Sequence, residues 1–479
     1  SLLCVVVLGA AALTGCSSSD DMPDLLEPRD ETTLVFGDPE DCRECHPQHV
    51  AEWEISNHAY ALVDPVFQAM VELGQWQTEG KLDDFCMQCH SPTGMANGQT
   101  EVYFDEDLQR FRQNIPVDDP IAKRGVSCDV CHSMTAVVEP VNARAVYTPD
   151  GVRRATIKDP VATPAHDSAY SELHETSDMC GSCHQVLNPR GALVEETFTE
   201  WAQSSAAAEG KTCQSCHMPA YEGKAAEEGP TRTVHRHTFV GVDVSLLAED
   251  EFPGYYEMRE MTTELLRGAV EFDATADPDN RRIDLRIRNL AGHSVPSGAT
   301  AERQMWVELI IRDDSGAIVF ESGTLDENND IRTGVADHTV VPGSDPQLVY
   351  YGQQLIAIPG LEEMDDADKE QARDIADANC LPMGLGSITV ESGIIPVSFP
   401  WQANWQCNYM IPPDGIDEPG YDLSDLAPGS YTATVKLQFR TFPPYFLRKL
   451  EAEVNLDPAV KERLPTVLMA ETELVFSLQ

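Results

Sequence analysis

The sequence predicts an α+β chain in two parts, an irregular, mainly helical first part and an antiparallel, β-sandwich-like second part. Three observations predict it. Five C-x-x-C-H pentapeptides punctuate the first half, at Cys42–His46, Cys86–His90, Cys128–His132, Cys180–His184 and Cys213–His217, using ten of the fourteen cysteines. The composition shifts near residue 265, with all five pentapeptides and most histidines before it. Beyond it, short runs alternate apolar and polar residues between Pro- and Gly-rich turns, the period-two signature of half-buried strands.

Taken from the N-terminus, residues 2–13 are almost wholly apolar, too short to span a bilayer comfortably, and lead into Leu13-Thr14-Gly15-Cys16. This reads as a lipoprotein signal peptide over residues 1–15, with Cys16 the lipidated residue of the mature chain; a plain signal peptide is the alternative. Ser17-Ser18-Ser19-Asp20-Asp21 begins a flexible tether over residues 16–39. No other apolar run approaches about 18 residues. The expected location is the bacterial cell envelope, as a periplasmic or outer-membrane lipoprotein.

The pentapeptides have a specific chemistry. Two thiols spaced by two residues can add across the vinyl groups of a porphyrin, while the next residue, His, swings beneath the ring as an axial iron ligand. One such pentapeptide arises by chance on the order of 0.01 times at these Cys and His frequencies, so five are no accident. Zinc knuckles require further Cys or His at regular spacing and no His after every second Cys. A redox dithiol motif appears once, within a βαβ pattern. The motifs therefore imply five covalently attached haem c groups. Their thiols are Cys42 and Cys45, Cys86 and Cys89, Cys128 and Cys131, Cys180 and Cys183, and Cys213 and Cys216, with His46, His90, His132, His184 and His217 as proximal iron ligands. Residues 40–265 thus read as a pentahaem cytochrome c domain. Short helical stretches surround the motifs, joined by long polar connections such as Asn97–Gln113 and Val137–Lys158.

Residues 266–479 read as the β-sandwich-like domain. Ile283–Arg288 alternates cleanly, and Trp306–Arg312 with Ala317–Glu321 flanks an Asp-Asp-Ser-Gly turn as a hairpin. Further strands are expected at Gln347–Tyr351, Ser387–Ser398, Ser430–Phe439 and Glu471–Leu478, with a helical excursion over Phe446–Leu464. Cys380 and Cys407 are expected to form a disulfide closing a long loop, free thiols being the alternative.

Eight of the thirteen histidines remain once the proximal ligands are set aside, and bis-histidine coordination of five irons needs five of them. The candidates are His58, His166, His174, His237 and His293. His166 and His174 are read on one helical segment about two turns apart, facing the same way. His235 and His237 point the same way on an extended stretch, so one suffices as ligand. His293, in Gly292-His293-Ser294-Val295-Pro296-Ser297-Gly298, is a ligand that would pin the second part to the first. His49 faces either a neighbouring haem or solvent, and His338 is read as a surface residue. Met95 and Met218 are read as packing against porphyrin.

These segments resemble the multihaem cytochrome c family that contains the nitrifiers' tetrahaem electron carrier. The resemblance rests on Cys42–His46 followed by Trp53, Ser56 and His58-Ala59, on Gly125-Val126-Ser127-Cys128, on Glu196–Trp201 after the fourth motif, and on Lys211–Pro219. It implies that His58 is an iron ligand. Cys216-His217-Met218-Pro219 and the later His-x-His-x-Phe are also similar to pieces of pentahaem nitrite reductases and octahaem oxidoreductases. The Gly292–Gly298 loop with Arg303 and Trp306 resembles a β segment appended to some multihaem cytochromes. Pentahaem nitrite reductases carry C-x-x-C-K at the catalytic haem, and this chain has no such motif.

The expected function is electron transfer through closely spaced bis-His haems. The alternatives are an oxidoreductase with one open haem acting on a small nitrogen or sulfur compound, and a subunit of a surface electron-conduit assembly. The formal net charge of −47 excludes nucleic acid as a natural partner and favours redox proteins with basic docking patches. Membrane contact is expected through the lipid anchor, and a homo-oligomer or envelope complex is compatible with the sequence.

Overall fold

The computed structural model describes residues 36–332, 345–379 and 395–479, with the backbone of 335–336 and 339–340. The signal peptide, Cys16, most of the tether, His338 and Cys380 lie outside the described residues.

The first part begins with three helices whose starts are written in the sequence. Pro47 opens α1 (Pro47–Glu54), the Ser56 hydroxyl accepts from the Ala59 N–H to cap α2 (Asn57–Tyr60), and Asp64 accepts from Val66 N–H to cap α3 (Pro65–Gln77), with Pro65 at its first turn. The long connections are less irregular than their composition implies. Val102–Asp105 pairs antiparallel with Arg110–Gln113, and Met134–Val137 with Ala145–Tyr147.

The helix expected to carry His166 and His174 is not formed. His166 leads into a strand, Asp167–Tyr170, that pairs in parallel with Val152–Ala155, and His174 sits in the 3-10 turn Glu172–Glu175. Pro160 and Pro164 oppose a helix upstream, and the sheet ladder claims the backbone between the two histidines.

The second part consists mainly of two antiparallel sheets over a common core. In the first, β1 (Val270–Asp277) pairs with β2 (Arg282–Asn289), which also binds the short strands Ile416–Asp417 and Gly420–Asp422. In the second, β3 (Gln304–Asp313) lies between β4 (Ile318–Ser322) and β5 (Gly429–Arg440), and β6 (Val467–Leu478) closes the edge. Alternation decides which side faces in: Ile283 and Ile287 of β2, Val307, Leu309 and Ile311 of β3, and Ala433, Val435 and Leu437 of β5 are all 0% exposed. The β3–β4 turn closes because the Asp313 carboxylate accepts from Ser315 N–H and Ala317 N–H while Gly316 takes φ 82°. The strand expected over Gln347–Tyr351 shrinks to Tyr350–Tyr351, and of Ser387–Ser398 the described residues contain a two-residue strand, Ile395–Pro396. Cys407 is buried and disulfide-bonded.

Two helices tie the parts together. The helix α4 (Tyr255–Gly268) runs from the last pentapeptide region into β1, and α5 (Pro444–Val454) leaves β5 to pack on α3. Phe446, Leu447 and Leu450 of α5 share one apolar cluster with Tyr60, Val66 and Leu73 from the first part. The two parts therefore bury surface against each other as a single core would. Among the described residues no helix is long and apolar enough to cross a membrane.

Leu447 is fully buried at this junction. Leu447→Ala should cost about 2–5 kcal/mol through the cavity it leaves. In a guanidinium titration, tryptophan fluorescence and Soret circular dichroism should shift their midpoints together.

Candidate functional site

One cavity of about 2150 Å³ runs through the first part and against the second. All ten pentapeptide cysteines and twelve histidines line it. A single small-molecule site occupies roughly 300–1,000 Å³, so this space suits several large flat groups.

Each pentapeptide closes a single helical turn. The histidine N–H reaches the carbonyl of the first cysteine in His46, His90 and His184, and Cys128–His132 and Cys213–His217 are short helices. Residues three and four apart share a helix face, so the thiols and the imidazole converge on one side. Four of the five imidazoles then anchor Nδ1 on a backbone carbonyl: His46 on Ala225, His90 on Ala61 at 3.0 Å, His132 on Arg154 at 2.7 Å and His217 on Val240 at 2.9 Å. The fifth, His184, bonds the Glu195 carboxylate at 3.1 Å. An Nδ1–H spent on an oxygen leaves the Nε2 lone pair bare, as an iron ligand requires.

Second imidazoles face four of these rings. Two imidazoles sharing an iron stand roughly 6 Å apart between centres, two metal–nitrogen bonds of about 2 Å plus the reach to each ring centre. His46 and His166 are 6.2 Å apart, His184 and His58 6.3 Å, and His217 and His293 6.3 Å. His132 faces both His174 at 5.9 Å and His237 at 6.4 Å. The two differ in their free nitrogen. His237 bonds through Nδ1 to the His235 carbonyl, whereas His174 uses Nε2 on the Cys131 carbonyl and leaves Nδ1 buried without a partner.

His90 stands apart. Among the described residues no second imidazole stands at pairing distance from it, and Phe67 stacks on its ring at 3.8 Å. His49, left open between haem and solvent by the sequence, lines the cavity with its ring 4.6 Å from His237 and 6.4 Å from His46. His235 bonds Nδ1 to the Met218 carbonyl.

The residues around the second imidazoles explain the spacing of the motifs. Trp53 donates its indole N–H to the Val126 carbonyl at 2.9 Å, Ser56 caps the turn that carries His58, and Val126 N–H bonds the His58 carbonyl at 3.0 Å. Gly125 between them has φ 61°, and a Cβ there would lie 2.4 Å from the His58 carbonyl oxygen, so only glycine fits. Glu52 accepts from His237 N–H and from Arg236, holding the His237 segment on α1. In the Gly292–Gly298 loop, Glu200 accepts from Ser294 N–H at 3.1 Å and Ser297 hydroxyl at 2.6 Å, fastening His293 to the first part.

Burial sets the charge of these groups. It pushes His58 and His237 down to about 3 and His174 to about 4, and lowers His49, His90, His132, His217 and His293. The rings are therefore neutral and ready to ligate at neutral pH. Burial acts on His184 too, but the Glu195 hydrogen bond and charge outweigh it and raise that ring to about 9. Burial also raises Asp64 and Glu302 to about 7. Beside them, Arg303 donates to Asp243 at 3.2 Å, yet Arg303 Nε and Asp243 Oδ1 are buried without a partner. Sequence reasoning found none of Glu195, Glu302, Asp243 or Asp64, because each acquires its role through distant contacts.

Thiols of different motifs also meet. Cys42 lies in hydrogen-bonding contact with Cys128, Cys89 with Cys183, and Cys180 with Cys213. The first motif therefore neighbours the third, and the fourth neighbours both the second and the fifth.

Residues 41–133 match the family described as cytochrome c554 and c-prime, a stretch containing the first three motifs. No curated protein matches the chain. Its fold is similar to the crystal structure of a penta-haem cytochrome c552 from Thermochromatium tepidum, with TM-score 0.59 and 19% identity over 92% of this chain and 100% of that one. The thiols, free ring nitrogens and apolar walls fit covalently held haem.

Glu200→Ala removes the clamp on the His293 loop. Electron paramagnetic resonance of the oxidised protein should then gain one high-spin ferric signal, with haem content unchanged. Gly125→Ala should act likewise on His58, with a stability loss on the order of 1–3 kcal/mol from the strained backbone.

Proposed function

We propose that this chain, a multihaem c-type cytochrome with five covalently attached haem c groups, carries electrons in the cell envelope through bis-histidine sites, anchored there by lipid at Cys16. The observation that carries the reading is the facing of four motif histidines by second imidazoles at 5.9–6.4 Å across the cavity they line. When bound, haem supplies one-electron chemistry whose potential follows axial ligands, burial and nearby charge. The chain's own residues do the rest. Backbone carbonyls fix the tautomers of four motif imidazoles and the Glu195 carboxylate that of His184, apolar walls exclude water, and thiol contacts between motifs keep neighbouring sites close. The acidic surface favours partners with basic patches and makes association sensitive to salt.

A second reading is favoured by His90, which lacks a facing imidazole among the described residues. A coordination position left free at that motif suits a small nitrogen or sulfur compound. Arg303 offers a buried cation in the same cavity, and Glu302 a carboxyl raised to about 7 that can hold or release a proton near neutrality.

Electron paramagnetic resonance separates the readings. Four low-spin signals and one high-spin signal that changes with nitrite or hydroxylamine are expected if His90 holds an open iron; low-spin signals alone remove the second reading. Changing His58, His166, His237 or His293 singly to Ala should convert one low-spin signal to high spin in each case. A variant whose spectrum is unchanged marks a residue that is not a ligand.

A further inference from the structure

We propose that Glu195 makes the haem iron of the fourth motif the lowest in potential of the five, and that this site forms a junction electrons must cross rather than rest on. The inference rests on the electron-carrier reading and on His184 and His58 sharing that iron.

Four motif histidines give Nδ1–H to neutral carbonyls, and His184 alone gives it to a carboxylate, Glu195 Oε1 at 3.1 Å. The Glu195 side chain is 17% exposed, and among the described residues no Lys or Arg pairs with it. Its negative charge therefore stays close to the ring and poorly screened. A carboxylate acceptor draws the Nδ1 proton toward itself and makes Nε2 a stronger donor, which stabilises ferric over ferrous iron. Local folding secures the contact: Val186 pairs with Glu195 in a short hairpin just past the motif, and Phe198 N–H bonds the His184 carbonyl at 3.1 Å.

The position matters as much as the potential. Cys183 touches Cys89 of the second motif, Cys180 touches Cys213 of the fifth, and Cys131 of the third lies near Cys183. The fourth motif thus neighbours the second, third and fifth, and the first lies beyond the third. A low-potential junction leaves electrons stored on the motifs around it. Each crossing takes one electron in and one out, with no proton transferred.

The test uses the holoprotein with five haems confirmed by pyridine haemochrome absorbance. In Glu195→Gln, a potentiometric titration followed by absorbance and electron paramagnetic resonance should show the lowest transition rising. The expected shift in its reduction equilibrium is about tenfold, ~59 mV for one electron, with the other transitions moving less than about threefold. Asp178→Asn, which removes an exposed carboxylate beside the same motif without touching the ring, should leave that transition in place. An unmoved lowest transition in Glu195→Gln, or an equal shift in Asp178→Asn, overturns the proposal. Should Glu195→Gln not load five haems, His58→Ala decides: the signal reduced last in the wild type must be the one converted to high spin. Conversion of another signal overturns the role of Glu195, while no conversion at all overturns the shared iron instead.

Discussion

The structure depends on one constraint: each buried imidazole must keep one nitrogen bare while the other is satisfied. Twelve histidines line an apolar cavity whose burial drives most of their rings neutral. Neutral rings with an unpaired nitrogen are costly to bury unless a metal takes the lone pair. The backbone carbonyls of Ala61, Arg154, Ala225 and Val240 settle the other nitrogen, so the loops supplying them are as much part of the site as the pentapeptides.

The second part serves the same constraint from outside. It delivers His293 on a loop held by Glu200, and its helix α5 completes the apolar cluster under α3, the helix whose Phe67 stacks on His90. A sheet core with its own buried apolar residues on β2, β3 and β5 can carry such a loop without distortion. Arg303, just before β3, reaches back to Asp243 of the first part, so the seam holds an ion pair between a buried guanidinium and a partly exposed carboxylate as well as apolar surface.

Much of this was legible in the sequence, and the exceptions have physical reasons. The pentapeptides, the β3–β4 hairpin with its Asp313 turn, and the strands near β2, β5 and β6 are local patterns, and local patterns survive folding. The Trp53, Ser56 and His58 spacing became legible in full only with Gly125, since the glycine is needed for a contact with a carbonyl far away in sequence. The helix expected around His166 and His174 failed because a parallel pairing with Val152–Ala155 outcompeted a weak local preference interrupted by proline. The His174 tautomer, the Phe67 stack on His90 and the Glu195 contact had no signal in composition or spacing.

Charge shows the same division between local and distant causes. Net charge is a property of composition and was fixed at −47 before any fold was known, yet it says nothing about which irons feel it. Exposed carboxylates are screened within about 8 Å at physiological ionic strength and act on partners more than on buried groups. A carboxylate hydrogen-bonded to a ligating ring acts at the first bond beyond the metal, where solvent cannot intervene. Of eighty acidic side chains in the chain, Glu195 is the one that hydrogen-bonds a motif imidazole among the described residues. Composition governs whom such a protein meets, and the placement of single charges governs which way an electron moves once it arrives.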